Sequence, residues 1–253
     1  MKRFFLVGSF MLILFGTIQA KKTVSEFNIV FIGNSITHGA GLQDPINQAP
    51  PARTVNYLNK RHYKVNFINC GVSGSTTVDI LPVSKNLFPQ IILAADSLSK
   101  TGLPLLFSIM IGTNDSAIKG PTGSPVSPDN YRKNVLAIID SLLNRYPGSH
   151  VILNRPIWYS PNTHNGALYL AEGLARLQRY TPEILSIVQL RKGKVFLGDT
   201  KAFNFFKQNY LQYLSPEKGN SGTFYLHPNA LGAEKLGEFW GEALIHQLKR
   251  IKD

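Results

Sequence analysis

Five short apolar runs, each followed by a longer amphipathic stretch, constrain this chain more than any other feature. They are NIVFIG (28–33), KVNFIN (64–69), PLLFSIMIG (104–112), HVILNR (150–155) and KVFLG (194–198). Near-continuous Val, Ile, Leu and Phe suits strands buried on both faces, and so a parallel sheet. The intervening stretches read as helices. They cover roughly 50–62, 77–99 (interrupted by Pro82 and Pro89), 127–148, 167–189 and 229–250. The third carries Val135, Ile138, Ile139, Leu142 and Leu143 on one stripe and stops at Pro147-Gly148. Parallel strands need such crossovers, so this order predicts an α/β fold with one doubly wound sheet. Ligands of such sheets bind beyond the carboxyl ends of the strands.

Residues 1–20 stand apart. A basic start (Lys2, Arg3), an apolar run (4–18) and the small Ala20 read as a signal peptide that is cleaved, which predicts an exported protein, periplasmic or secreted. No stable membrane insertion is expected after cleavage, since the apolar run is short for a bilayer span. Losing Lys2 and Arg3 takes the formal charge from +12 to +10. Those charges are scattered, with no dense Lys/Arg block, so no nucleic acid is expected as partner; mild attraction to acidic substrates fits better. The lone Cys70 cannot close an internal disulfide and reads as a buried small apolar residue. The oligomeric state is left open.

Three loops at strand ends carry the chemistry. GNSITHGAG places Ser35 straight after the first strand, either as a lifted nucleophile or as a helix N-cap. NCGVSGSTTVD places Gly74 where its N–H either points into a cleft or merely closes a turn. IGTNDS offers the Asn114 amide and an Asp115 able to accept loop N–H groups. A serine, a backbone N–H and an amide N–H are the parts needed to attack a carbonyl and hold the resulting oxyanion. His227, just before the last helix, would return to the same rim.

With these blocks in order, the chain resembles the SGNH (GDSL-type) hydrolase family. The blocks are Ser35 in GNSIT, Gly74 in GVSGSTT, Asn114 in GTND and His227 in LHPN. The resemblance implies a flavodoxin-like three-layer αβα sandwich on a five-stranded parallel sheet, one hydrolase domain over 21–253, and ester hydrolysis with no metal and no organic cofactor. It implies Ser35 as nucleophile, His227 as general base, and the N–H groups of Ser35 and Gly74 with the Asn114 side chain as oxyanion hole. Two positions depart from the family pattern. Asn34 stands where Asp is usual. Phe224 stands three residues before His227, where the family usually carries the Asp that orients the histidine. Three arrangements follow: a Ser–His dyad oriented by a backbone carbonyl, a replacement acid such as Asp199 after the fifth strand, or lost catalysis. Asp199 also reads as a cap for the helix that follows it.

The stretch NRPIWYSPNTHNGALYLAEGL offers Arg155, Trp158 and Tyr159 as candidate substrate-binding residues. Aromatic faces suit a sugar and Arg155 a carboxylate, while a hydrophobic lid or structural packing would use the same residues. This stretch, with YLHPN, resembles secreted bacterial carbohydrate esterases, including the sialate O-acetylesterase-like group. The expected reaction is therefore removal of O-acetyl groups from a glycan or another small ester. The alternatives are a lysophospholipase or thioesterase type of lipid esterase, and a non-catalytic glycan-binding protein on the same fold.

Overall fold

The computed structural model describes Met1 and residues 25–251. The expected signal peptide lies outside the described residues. In chain order the elements are β1 (Ser25–Gly33), α1 (Ser35–His38), α2 (Pro45–Gln48), α3 (Pro50–Asn59), β2 (Tyr63–Gly71), α4 (Thr77–Ile80), α5 (Phe88–Ser99), β3 (Leu105–Met110), α6 (Pro128–Arg145), β4 (His150–Leu153), β5 (Asn162–His164), β6 (Ala167–Tyr169), α7 (Ala171–Leu190), β7 (Val195–Leu197), α8 (Ala202–Tyr213), β8 (Leu214–Gly219), β9 (Gly222–Pro228) and α9 (Ala230–Ile251).

All five apolar runs form the main sheet, parallel throughout, in the order β2-β1-β3-β4-β7. Numbering only those strands gives 2-1-3-4-5, the flavodoxin-like order. Every residue of β3 is buried, as a central strand covered on both faces requires. Helices α3 and α9 pack on each other on one side, and α6 and α7 on the other. Right-handed crossovers dictate that division. Trp240 of α9 stacks on Phe31 of β1 at 6.0 Å and is 2% exposed, tying the last helix to the sheet beside the candidate site. Truncating a buried Trp of this kind costs about 3–5 kcal/mol.

Four elements differ from expectation. Residues 77–99 split into α4 and α5. Pro89 sits in the first turn of α5, where a missing N–H costs nothing, so it starts the helix rather than interrupting it. The helix expected from 167 begins at Ala171, because 162–169 fold into the antiparallel hairpin β5–β6. Its turn is Asn165-Gly166, both at positive φ (50° and 78°), as a two-residue hairpin loop demands. A second hairpin, β8–β9, carries His227. Helix α8 precedes it.

Candidate active site

Ser35 opens α1, but it is not the cap. Asn34 is: its Oδ1 accepts the Ile36 N–H at 3.0 Å. The Ser35 hydroxyl is thereby released from capping and lies 2.8 Å from His227 Nε2. The sharp exit from β1 needs Gly33, since a Cβ there would sit 2.6 Å from the Met110 carbonyl.

The other two loops close on the same place. The Asn114 amide donates to the Ser75 carbonyl at 2.8 Å, and Ser75 Oγ donates to the Gly33 carbonyl at 3.2 Å. Gly74 lies between, at φ 81°, a conformation that favours glycine. Behind them Asp115, fully buried, accepts the N–H and hydroxyl of Thr77 and locks the second loop to the third. Burial pushes its pKa up to about 6, against the lowering effect of the Thr77 bonds. Ser35 and His227 thus meet directly, while Gly74 and Asn114 sit on loops tied to the Ser35 turn through Ser75.

The histidine has an acid, and sequence reasoning missed it. Glu217 Oε1 lies 2.6 Å from His227 Nδ1. Glu217 is on β8, directly opposite Phe224 on β9, so the two side chains share a face. The register then slips: Leu226 and His227 oppose Ser215 alone. Residues three apart on a regular strand point to opposite faces, and this bulge resets the alternation so that His227 reaches Glu217. The dyad expectation is corrected, because a carboxylate rather than a backbone carbonyl meets Nδ1.

Asp199 is also corrected. Its carboxylate accepts the backbone N–H groups of Lys201 and Ala202 at the start of α8, at 2.9 and 3.1 Å. It lines a separate cavity of about 240 Å³ with Glu242 and His246. Burial raises its pKa, offset in part by those N–H groups. It serves the helix.

Arg155, Trp158 and Tyr159 do not line the Ser35 cavity. The Arg155 guanidinium lies 3.9 Å from the centre of the Phe203 ring, Trp158 packs on Tyr210 at 5.3 Å, and the Tyr159 hydroxyl meets Ser116 Oγ at 3.0 Å. The reason is backbone pairing. Ser160 N–H donates to the Tyr225 carbonyl and Ser160 Oγ accepts the Tyr225 N–H, so this segment runs under β9 and its aromatic residues become core. Cys70 stays outside the site too, and burial raises its thiol pKa to about 11.

The cavity over Ser35 has a volume of about 710 Å³. Ser35, His227 and Glu217 line it, with Ala40, Gly41 and Ser73. The β5–β6 hairpin lines it too, through His164, Asn165, Gly166, Ala167 and Tyr169. His164 donates through Nδ1 to the Lys218 carbonyl (3.2 Å), and its Nε2 accepts from Asn165 (3.0 Å). That Nε2 stands 3.9 Å from Glu217 Oε2, beyond hydrogen-bonding range. Among the described residues no group of His, Cys, Asp or Glu is placed to hold a metal ion, and no helix is long and apolar enough to cross a membrane.

The sequence matches the profile described as the GDSL-like lipase/acylhydrolase family over residues 31–235. No curated protein matches it significantly. Several solved structures share the fold. One is a catalytic mutant of Axe2, an acetylxylan esterase from Geobacillus stearothermophilus, at 18% identity and TM-score 0.60, covering 90% of this chain and 96% of that one. Est24, a carbohydrate acetylesterase from Sinorhizobium meliloti, aligns at 16% identity and TM-score 0.61, covering 87% and 99%. LAE5, an alpha/beta hydrolase enzyme from the metagenome of Lake Arreo, aligns at 21% identity and TM-score 0.58, covering 91% and 99%.

Proposed function

Because the chain belongs to the GDSL-like lipase/acylhydrolase family and is a carboxylic ester hydrolase, we propose that it removes acetyl-sized acyl groups from a carbohydrate through an acyl-enzyme on Ser35. The observation that carries this is the continuous line Ser35 Oγ–His227–Glu217, with contacts of 2.8 and 2.6 Å. Ser35 Oγ attacks the ester carbonyl carbon while its proton passes to His227 Nε2. Glu217, at Nδ1, holds the ring's tautomer and stabilises the imidazolium. The oxyanion is met by the N–H groups of Ser35 and Gly74 and by the Asn114 amide. Collapse expels the sugar alkoxide, which takes the proton from Nε2. Water, deprotonated by His227, then attacks the acyl carbon, and acetate leaves as Ser35 regains its proton.

Support for a small acyl group comes from the lining, whose aliphatic members are short: Ala40, Ala167, Pro121 and Leu226. A lipid chain would need a longer apolar run than these supply. Support for a carbohydrate comes from a wall of glycines and small polar groups, Ser73 and Asn165 among them, and from the acetylated-sugar esterases that share the fold. Trp158 and Tyr159 no longer contribute to it. A glycan-binding protein without catalysis loses its motive, since Glu217 supplies what Phe224 lacks. We further propose export by the N-terminal segment, with one catalytic domain after it.

Acetate release from p-nitrophenyl acetate and from an O-acetylated sugar tests the proposal in wild type, Ser35→Ala and His227→Ala. Release by wild type that both variants lose is expected. A wild-type protein as inert as Ser35→Ala overturns the catalytic reading. Release from the aryl ester alone overturns the sugar.

A further inference from the structure

Tyr169 is 5% exposed, lines the cavity over Ser35, and belongs to none of the blocks that mark the family. Its hydroxyl donates to Asn114 Oδ1 at 2.6 Å. At the other end of that amide, Nδ2 donates to the Ser75 carbonyl at 2.8 Å. A carbonyl only accepts, so Ser75 fixes which atom of the amide is nitrogen, and Tyr169 is then the donor to the oxygen. Rotating the amide would set Oδ1 against the Ser75 carbonyl, acceptor facing acceptor, and would turn the phenol from donor to acceptor, so the Ser75 bond selects the observed orientation. The amide is thus held at two points, with one Nδ2 hydrogen uncommitted among the described residues.

The ring is held as firmly as the hydroxyl. It stacks on Phe224 at 5.6 Å and 25°, and meets the edge of Tyr159 at 5.5 Å. Phe224, fully buried, also stacks on His164 at 5.2 Å. Its ring therefore serves as a platform for the hairpin wall. The β5–β6 hairpin is itself bonded to the loop bearing Asn114: Ile118 N–H donates to Leu168, and Leu168 N–H to Lys119. Burial, with the nearby Glu217, raises the phenol pKa to about 12, so the group stays a donor throughout the working range.

We propose that Tyr169 is a positioning residue for hydrolysis, locking the Asn114 amide so that its free N–H faces the oxyanion. The proposal rests on the oxyanion role given to Asn114 above. It also assigns Phe224 a use: support for Tyr169 in place of an acid for His227.

A double-mutant cycle with p-nitrophenyl acetate tests it, measuring kcat and KM for wild type, Tyr169→Phe, Asn114→Ala and the double variant. Tyr159→Phe serves as control, because it deletes a neighbouring buried hydroxyl that meets Ser116 instead. Thermal melts keep all assays below each variant's unfolding. We expect Asn114→Ala to lower kcat about 100-fold or more. Tyr169→Phe should lower kcat about tenfold with KM unchanged, the size of a mis-set donor rather than an absent one. In the Asn114→Ala background it should cost nothing further. Tyr159→Phe should leave kcat within about twofold even where it lowers stability as much. A Tyr169→Phe enzyme with wild-type kcat, beside a crippled Asn114→Ala, overturns the proposal and leaves the oxyanion assignment standing. An equal loss in both backgrounds overturns it as well. A fully active Asn114→Ala removes the oxyanion assignment and this proposal with it.

Discussion

Phe224 occupies the place from which the family's acid usually reaches the histidine, and its ring is buried between His164 and Tyr169. The carboxylate has moved one strand across, to Glu217. Replacing that carboxylate by an amide tests the transfer. Glu217→Gln should lower kcat for acetyl esters by about 10²–10⁴-fold with KM little changed, because the amide can hold the wrong tautomer and cannot stabilise an imidazolium. Asp199→Ala should leave kcat within about twofold, while costing about 1 kcal/mol of stability through the lost bonds to Lys201 and Ala202. Steady-state kinetics and denaturant melts on the two variants separate these outcomes. Glu217 was within reach of the sequence. GNSG (219–222) is a two-residue hairpin loop between glycines, and counting outward from it pairs Glu217 with Phe224. The bulge that then brings His227 to the same face has no such signature.

Among the elements, the loops after β1, β2 and β3 act as one unit through Asp115, Ser75 and Asn114. Asp115 makes that unit sensitive to pH. Its pKa is about 6 in the folded protein and about 3.9 in an unfolded chain. Between those values the folded state holds the proton and the unfolded state has lost it, so stability falls as pH rises from about 4 to 6. Asp115→Asn keeps an acceptor for Thr77 and cannot ionise. The variant should match wild type near pH 4 and exceed it at pH 7 by on the order of 2–3 kcal/mol. Melting temperatures of both proteins across that range would read it; a constant difference between them would mean that Asp115 does not titrate there. The two hairpins were the elements sequence patterning missed. The Asn165-Gly166 turn was visible, yet its flanking strands are only three residues each, and their apolar residues continue smoothly into the pattern of α7.

At the scale of the whole molecule, the sheet carries Ser35 at the end of β1 and the two hairpins contribute the rest of the cavity lining. Few apolar side chains line the cavity, Ala40, Ala167, Pro121, Leu226 and Tyr169, so added methylenes find little apolar surface to bury. Specificity constants for p-nitrophenyl esters should therefore fall with chain length, by about tenfold or more from acetate to octanoate. A profile rising toward octanoate would instead place an acyl channel outside the described cavity and favour the lipid esterase. The net charge, +12 over the whole sequence, favours approach of acidic esters without selecting among them.

The five strands, their parallel order and the strand-end placement of the loops bearing Ser35, Gly74 and Asn114 were determined by sequence alone. Continuous apolar runs and glycine-rich loops impose them locally, and right-handed crossovers leave little choice of topology. Only the tertiary structure decided which carboxylate meets His227 and which aromatic residues face the cavity. Glu217 and Asp199 are both acids near strand ends, and Trp158 and Tyr169 are both aromatics in one stretch. What separates the acids is register within the β8–β9 hairpin, and what separates the aromatics is the pairing of Ser160 with Tyr225, 65 residues apart in the chain, which buries one side chain and presents the other.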